Sequence, residues 1–287
     1  MKNQLSIWFC GAIILTGCSM ITQVVGSTAN VTGALVKGGV KAGAAQLPIT
    51  DEEELAYGGA IAVMIVQKYG GVDETPALAL YVNTVGQALA MYSTRPTLAF
   101  HFAVLNSDDV NALSAPGGYV FITRGAVKAM KNEAELAGVL AHEIAHVTAG
   151  HAVSILKNLK SKGALADAAA DAWKSADMFK GLMNQYLDDY LTKGLPKDTE
   201  FEADKLGTQL ISHVGWRADG LRSFLHVITQ REKAAAKPSA LHDTHPDTLE
   251  RVNKLDAVVA HLPKQGVDLE KRFAANVAGT RAAPAAK

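Results

Sequence analysis

Thiols are nearly absent from this chain of 287 residues: its two cysteines, Cys10 and Cys18, both fall in the first twenty positions. The remainder has neither disulfides nor thiolate ligands, so a metal site there has to be built from His, Asp or Glu. A surplus of charge is missing too. Lys and Arg number 28 and Asp and Glu number 28. A formally neutral chain lacks the basic excess that phosphate backbones select, which argues against a nucleic-acid partner. Past the first segment no apolar run approaches a membrane span, and no repeat of solenoid period is visible. What the chain does have is apolar mass, 48% hydrophobic against 20% charged residues. That suffices for a packed core and excludes wholesale disorder. The length suits one domain with flanking segments.

The first segment reads as an address. Lys2 supplies a positive end, and an apolar stretch from Leu5 to Leu15 is broken only by Ser6. It is short for a bilayer and the right length for a signal-peptide core. It ends in Leu15-Thr16-Gly17-Cys18, which resembles a bacterial lipobox. The resemblance implies a signal peptide over 1–17, cleavage before Cys18, and lipid on that cysteine as a membrane anchor. Ser19 follows, with no Asp, which by the same resemblance favours the outer membrane, facing the periplasm. A plain secretory signal or a short anchor helix is the alternative. Residues 18–48, rich in Gly, Ala, Ser, Thr and Val, read as a tether. The body spans 49–270, and 271–287 is expected to be a frayed tail.

Within the body, Thr50 with Glu53 forms a capping box for a helix to about Tyr69, stopped by Gly70-Gly71. Further helices are expected over 76–92, 133–156 (capped by Asn132 with Glu135), 164–193, 199–214, 217–233 and 246–260. Strands are expected over 99–105 and 119–123, with a turn at Pro116-Gly117-Gly118. The sum is an α+β domain, mostly helical with a small sheet.

Chemistry concentrates in Ala141-His142-Glu143-Ile144-Ala145-His146-Val147. His142 and His146 stand four residues apart, so a helix projects both from one face, and two imidazoles can meet one zinc ion. Glu143, about 100° further round, can reach a water at the metal without entering the ligand set. The surrounding helix is apolar or small: Leu136, Val139, Leu140, Ile144 and Val147 form a stripe, and Gly138, Ala141, Ala145 and Ala149 fill much of the rest. Such a helix is buried, and buried polar groups need partners. A catalytic zinc needs a third protein ligand and an open position. His151, nine residues past His142 and roughly half a turn round a continuous helix, faces away and reads as structural or surface. Glu200 and Asp204, four apart, share a face of a later helix. Glu200 can ligate while Asp204 orients an imidazole through its outer N–H. Glu202, turned by about 200°, is the rival ligand, or else completes a capping box with Thr199.

His-Glu-x-x-His followed some fifty residues later by Glu-x-x-x-Asp resembles the gluzincin peptidases related to the CAAX prenyl protease and the heat-shock membrane metallopeptidase. Asn111 with Pro116-Gly117-Gly118 resembles the family segment before the active helix, and Thr244-His245-Pro246 through Glu250-Arg251 resembles its late His-Pro motif. The resemblance runs from about 50 to 260. Lacking membrane helices, the chain looks like the periplasmic lipoprotein branch. The resemblance implies a zincin-like fold, one Zn2+ per chain held by His142, His146 and Glu200, Glu143 as the base, and endopeptidase action on unfolded or misassembled envelope proteins. It also sets His245 near the site, as an oxyanion donor or a resting-state ligand; a turn residue before Pro246 is the plainer reading. Arg251 either pairs with a carboxylate there or lies exposed. Tyr119–Thr123 is either the sheet edge that receives an extended substrate or an internal strand. A zinc-containing assembly factor or chaperone with weak or latent activity is the second functional reading, with 152–199 covering the cleft or binding a partner.

Overall fold

The computed structural model describes residues 49–161, 176–235 and 239–281. Residues 1–17, Cys18, the tether and residues 282–287 lie outside that set, as does the start of the helix expected over 164–193.

Helix α1 (Asp51–Lys68) opens on the expected capping box. The Thr50 hydroxyl accepts from Glu53 N at 3.2 Å, and Glu53 Oε2 accepts from Thr50 N at 3.0 Å. Helix α2 (Pro76–Ala90) begins on proline, whose missing N–H costs nothing in a first turn. Three strands follow: β1 (His101–Leu105), β2 (Ala112–Ala115) and β3 (Tyr119–Thr123). β2 is too short, and its Ala and Ser too neutral in strand preference, to be read from sequence. The order is β1-β3-β2, with β3 parallel to β1 and antiparallel to β2. Tyr119–Thr123 is therefore the central strand, so the reading of it as an open edge is corrected. Strand alternation feeds two cores. Val104, Ala112, Val120 and Ile122 face one cluster, shared with α2 and the active helix. Leu105, Leu113, Ala115 and Phe121 face a second, shared with α1.

A short α3 (Arg124–Ala129) leads to α4 (Glu133–Thr148), which is buried from Glu133 through Val147. Its cap is half the expected box: Glu135 N donates to Asn132 Oδ1 at 3.0 Å, while Glu135 Oε2 accepts from Lys131 N instead. The helix expected to reach residue 156 stops at Thr148. Gly150 takes φ +73°, the left-handed region, and a new helix α5 (His151–Ser161) starts. Helices α6 (Ala176–Lys193) and α7 (Lys197–Val214) are separated by Gly194 at φ +63°. Because α7 begins two residues before Thr199, Thr199 caps nothing; its hydroxyl donates back to the Pro196 carbonyl at 2.6 Å.

Helices α8 (Gly220–Ala235), α9 (Ala240–Thr244), α10 (Thr248–Ala260) and α11 (Glu270–Arg281) complete the described chain. α11 corrects the tail expected from 271. Its Phe273 and Val277 are wholly buried, and Arg272 pairs with Glu133 at the start of α4. The result is an α+β, zincin-like fold with α4 at its centre. Small residues set how closely its neighbours approach. A Cβ on Gly207 of α7 would sit 2.8 Å from His142 N.

Candidate active site

Three segments converge. α4 presents His142, Glu143 and His146; α7 presents Glu200 and Asp204; the turn between α9 and α10 presents His245, with Arg251 one turn into α10. One donor atom from each of His142, His146, Glu200 and His245 lies within 4.8 Å of the others, and all four side chains are buried. Glu200 Oε2 is 3.5 Å from His142 Nε2, and Oε1 is 3.4 Å from His146 Nε2. His245 Nδ1 is 3.1 Å from both Glu200 oxygens. Glu202, the rival ligand, is turned outward and lies 3.4 Å from His151 Nε2.

The donor set fits a zinc ion. His142 Nδ1 faces Asp204 Oδ1 at 3.0 Å and His146 Nδ1 faces His151 Nδ1 at 2.9 Å. Both Nε2 atoms therefore turn inward, where they stand 2.9 Å apart. Two imidazole lone pairs at that distance repel unless a proton or a cation lies between them. Ligands at about 2.0–2.1 Å around a tetrahedral zinc are about 3.3 Å from one another, and the close pairs here run from 2.9 to 3.5 Å. With its carboxylates ionised, the site sets Glu143, Glu200 and Asp204 against the single guanidinium of Arg251. The residual negative charge suits a divalent ion. Glu143 Oε2 is buried without a partner, while its Oε1 lies 3.4 Å from His245 Nε2.

Proton affinities follow the same charges. Burial and Arg251 lower His142, but Asp204 and Glu200 outweigh them and raise it to about 9. Burial, then His142, pushes His146 down to about 3. A divalent ion would displace the proton that this pair shares, since ligation needs both rings neutral. Burial raises Glu200, yet His245 and Arg251 carry it well below the usual carboxylate range. Asp204, raised by burial and lowered more strongly by Arg251, falls to about 2.

Four features escape a reading of the sequence alone. His151 does not face away: the Gly150 turn folds it back against His146. Arg251 is fully buried, with Nε donating to Asp204 Oδ2 at 2.9 Å and Nη2 to Oδ1 at 2.7 Å. Asn111 ties β2 to the His245 turn. Its Oδ1 accepts from Ala112 N at 2.9 Å and from the Thr244 hydroxyl at 3.0 Å. Tyr190 of α6 is wholly buried, its hydroxyl accepting from Ser114 N at 3.4 Å; nothing in the local pattern of α6 signals this.

The fold and the site together define a zincin-like metallopeptidase. The profile of peptidase family M48 matches residues 76–259, and the chain belongs to that family. It is 25% identical over 200 residues to the beta-barrel assembly-enhancing protease of Escherichia coli (strain K12), covering 64% of this chain and 41% of that protein. The protein of the same name in Yersinia pestis is 28% identical over 188 residues, 60% of this chain and 37% of its own. The mitochondrial metalloendopeptidase OMA1 of Schizosaccharomyces pombe is 28% identical over 177 residues, 62% of this chain and 52% of its own. The chain thus matches less than half the length of its beta-barrel assembly-enhancing relatives. No helix among the described residues is long and apolar enough to cross a membrane.

Proposed function

We propose that the chain is a zinc-dependent endopeptidase that cuts unfolded or misassembled proteins of the bacterial envelope, anchored by lipid on Cys18 at the outer membrane and facing the periplasm. The observation that carries the reading is the convergence of His142, His146 and Glu200 on one point, with the partnerless Glu143 Oε2 on the same helix as the two imidazoles. The lipobox-like segment and the printed names of the bacterial relatives support the setting.

Zinc held there, one per chain, supplies a Lewis acid that lowers the pKa of water toward neutrality and polarises the scissile carbonyl. Glu143 Oε2 accepts a proton from the attacking water and delivers it to the leaving nitrogen as the C–N bond breaks. Asp204 holds a proton on His142 Nδ1, which leaves the Nε2 lone pair free. Arg251 keeps Asp204 and Glu200 ionised despite their burial. His245, with Nδ1 among the ligand donors, fills a fourth position in this conformation; swung outward, its ring becomes the hydrogen-bond donor to the oxyanion.

Substrate adds to β2, not β3. Along the outer edge of β2 the Ala112 carbonyl accepts from His245 Nε2 at 3.2 Å, and Ser114 N donates to the Tyr190 hydroxyl at 3.4 Å. An extended peptide uses the same main-chain groups, so it has to displace both side chains. That double cover, with Glu143 only 1% exposed, favours a second reading: an envelope assembly factor or chaperone that carries zinc and whose proteolysis is weak or latent.

The test uses the chain lacking residues 1–18, loaded with zinc and incubated with an unfolded protein. About one zinc per chain and cleavage abolished by a chelator are expected. Zinc-loaded protein that binds the unfolded chain but leaves it intact selects the second reading.

A further inference from the structure

The two imidazoles that face the metal point do not have the same backing. Behind His142 stands Asp204, a buried carboxylate held by Arg251. Behind His146 stands no carboxylate but another imidazole, His151, at 2.9 Å between the two Nδ1 atoms. His151 is 5% exposed, and its Nε2 reaches Glu202 Oε2 at 3.4 Å. The family assignment attributes no role to His151, and a continuous helix would have turned it away from the site.

We propose that His151 is a positioning residue that fixes the tautomer and ring orientation of His146, so that His146 Nε2 offers its lone pair to zinc. The inference rests on the metal reading above. The direction of each hydrogen bond follows from one requirement. A ligating imidazole is neutral and bonds through a bare nitrogen, so His146 must carry its proton on Nδ1. That N–H donates to His151 Nδ1, which must then be bare. His151 therefore carries its own proton on Nε2, the atom aimed at Glu202 Oε2. Glu202 is the only link in this relay that solvent reaches freely, its side chain being 59% exposed. One tautomer satisfies all three groups, and reversing either histidine leaves two N–H groups or two lone pairs opposed at 2.9 Å.

Gly150 is what makes the contact. Its left-handed backbone, φ +73°, reverses the chain immediately after α4 and starts α5 on His151. The spacing of the two histidines, five residues, would set them well apart around an unbroken helix.

The experiment compares the wild-type chain with His151→Leu and His151→Asn. Leu fills the site but accepts nothing, whereas the Asn amide oxygen stands near the position of the imidazole Nδ1 and restores an acceptor. Zinc affinity is measured by competition with a chelating dye, and the visible spectrum is recorded after Co2+ replaces zinc. Thermal unfolding in excess chelator reports any purely structural effect. H151L is expected to bind zinc about 10- to 100-fold more weakly and to shift the Co2+ bands, with H151N recovering most of both. The two variants should unfold alike without metal. Zinc binding by H151L as tight as wild type overturns the proposal, as does equal loss in H151L and H151N. A wild-type chain that binds no zinc instead overturns the metal reading itself.

Discussion

Arg251 and Asp204 form a two-pronged ion pair inside the protein, Nε to Oδ2 at 2.9 Å and Nη2 to Oδ1 at 2.7 Å, with side-chain exposures of 1% and 4%. Nη1 of the same guanidinium lies 3.1 Å from Glu200 Oε2. One cation thus serves the carboxylate behind His142 and the carboxylate among the ligand donors. Removing it leaves two buried charges without compensation. Arg251→Met is expected to cost about 3–5 kcal/mol in urea unfolding with chelator present. Added zinc should offset part of the loss, because it brings positive charge to the same place. Equal stability of R251M and wild type in chelator would remove Arg251 from this role.

Glu143 is not among the donors that converge on the metal point, so its replacement separates binding from chemistry. Glu143→Gln should retain zinc at the wild-type stoichiometry while cleavage of an unfolded protein falls by about 10²–10⁴. His142→Ala and Glu200→Ala should lose zinc as well. Chelation of the wild-type chain should lower its thermal midpoint, and the midpoint should climb with free zinc, since binding to the native state alone adds about 2.7 kcal/mol at 100 times Kd. Normal cleavage by E143Q would exclude the base.

Glu133 opens α4 as a wholly buried carboxylate. It accepts from the Tyr81 hydroxyl at 2.7 Å and from Trp216 Nε1 at 2.9 Å, and it pairs with Arg272 of α11. Phe273 and Val277 of α11 drive into the same core, so this last described helix braces the active helix from its far end. Phe273→Ala should destabilise the protein by about 3–5 kcal/mol, read by denaturant midpoint at unchanged slope. A negligible shift would mean that α11 is not docked in solution.

Two glycines with open space around them make a controlled pair. A Cβ at either Gly150 or Gly181 meets nothing within 4 Å, but Gly150 sits at φ +73° while Gly181 is interior to α6. Gly150→Ala should cost about 1–2 kcal/mol for the left-handed backbone. Gly181→Ala should gain about 0.4–1 kcal/mol by restricting the unfolded chain. Thermal or urea unfolding of both reads the difference, and the same sign for both would contradict the turn at Gly150.

Much of the metal constellation was legible in the chain because helical periodicity is local. A four-residue interval puts His142 with His146, and Glu200 with Asp204, on common faces whatever the rest of the fold does. The burial of α4 was legible for a similar reason, its apolar and small residues going nearly all the way round. Errors arose where one residue's backbone redirected what followed. Reading 133–156 as one helix turned His151 away, and Gly150 reversed that. Reading residues 271–287 as a tail followed from weak apolar content, yet two side chains, Phe273 and Val277, suffice to dock α11 when a core lies beneath them.

The sequence by itself determined which side chains share a helix face, where helices are capped, and that any metal in the body must be held without sulfur. Those are matters of spacing and composition, settled over a turn or two of chain. Tertiary structure alone decided that β3 lies between β1 and β2, that His245 enters among the ligand donors, and that Arg251 is buried between two carboxylates. These outcomes depend on contacts between residues far apart in the chain, whose closeness follows from how the elements pack.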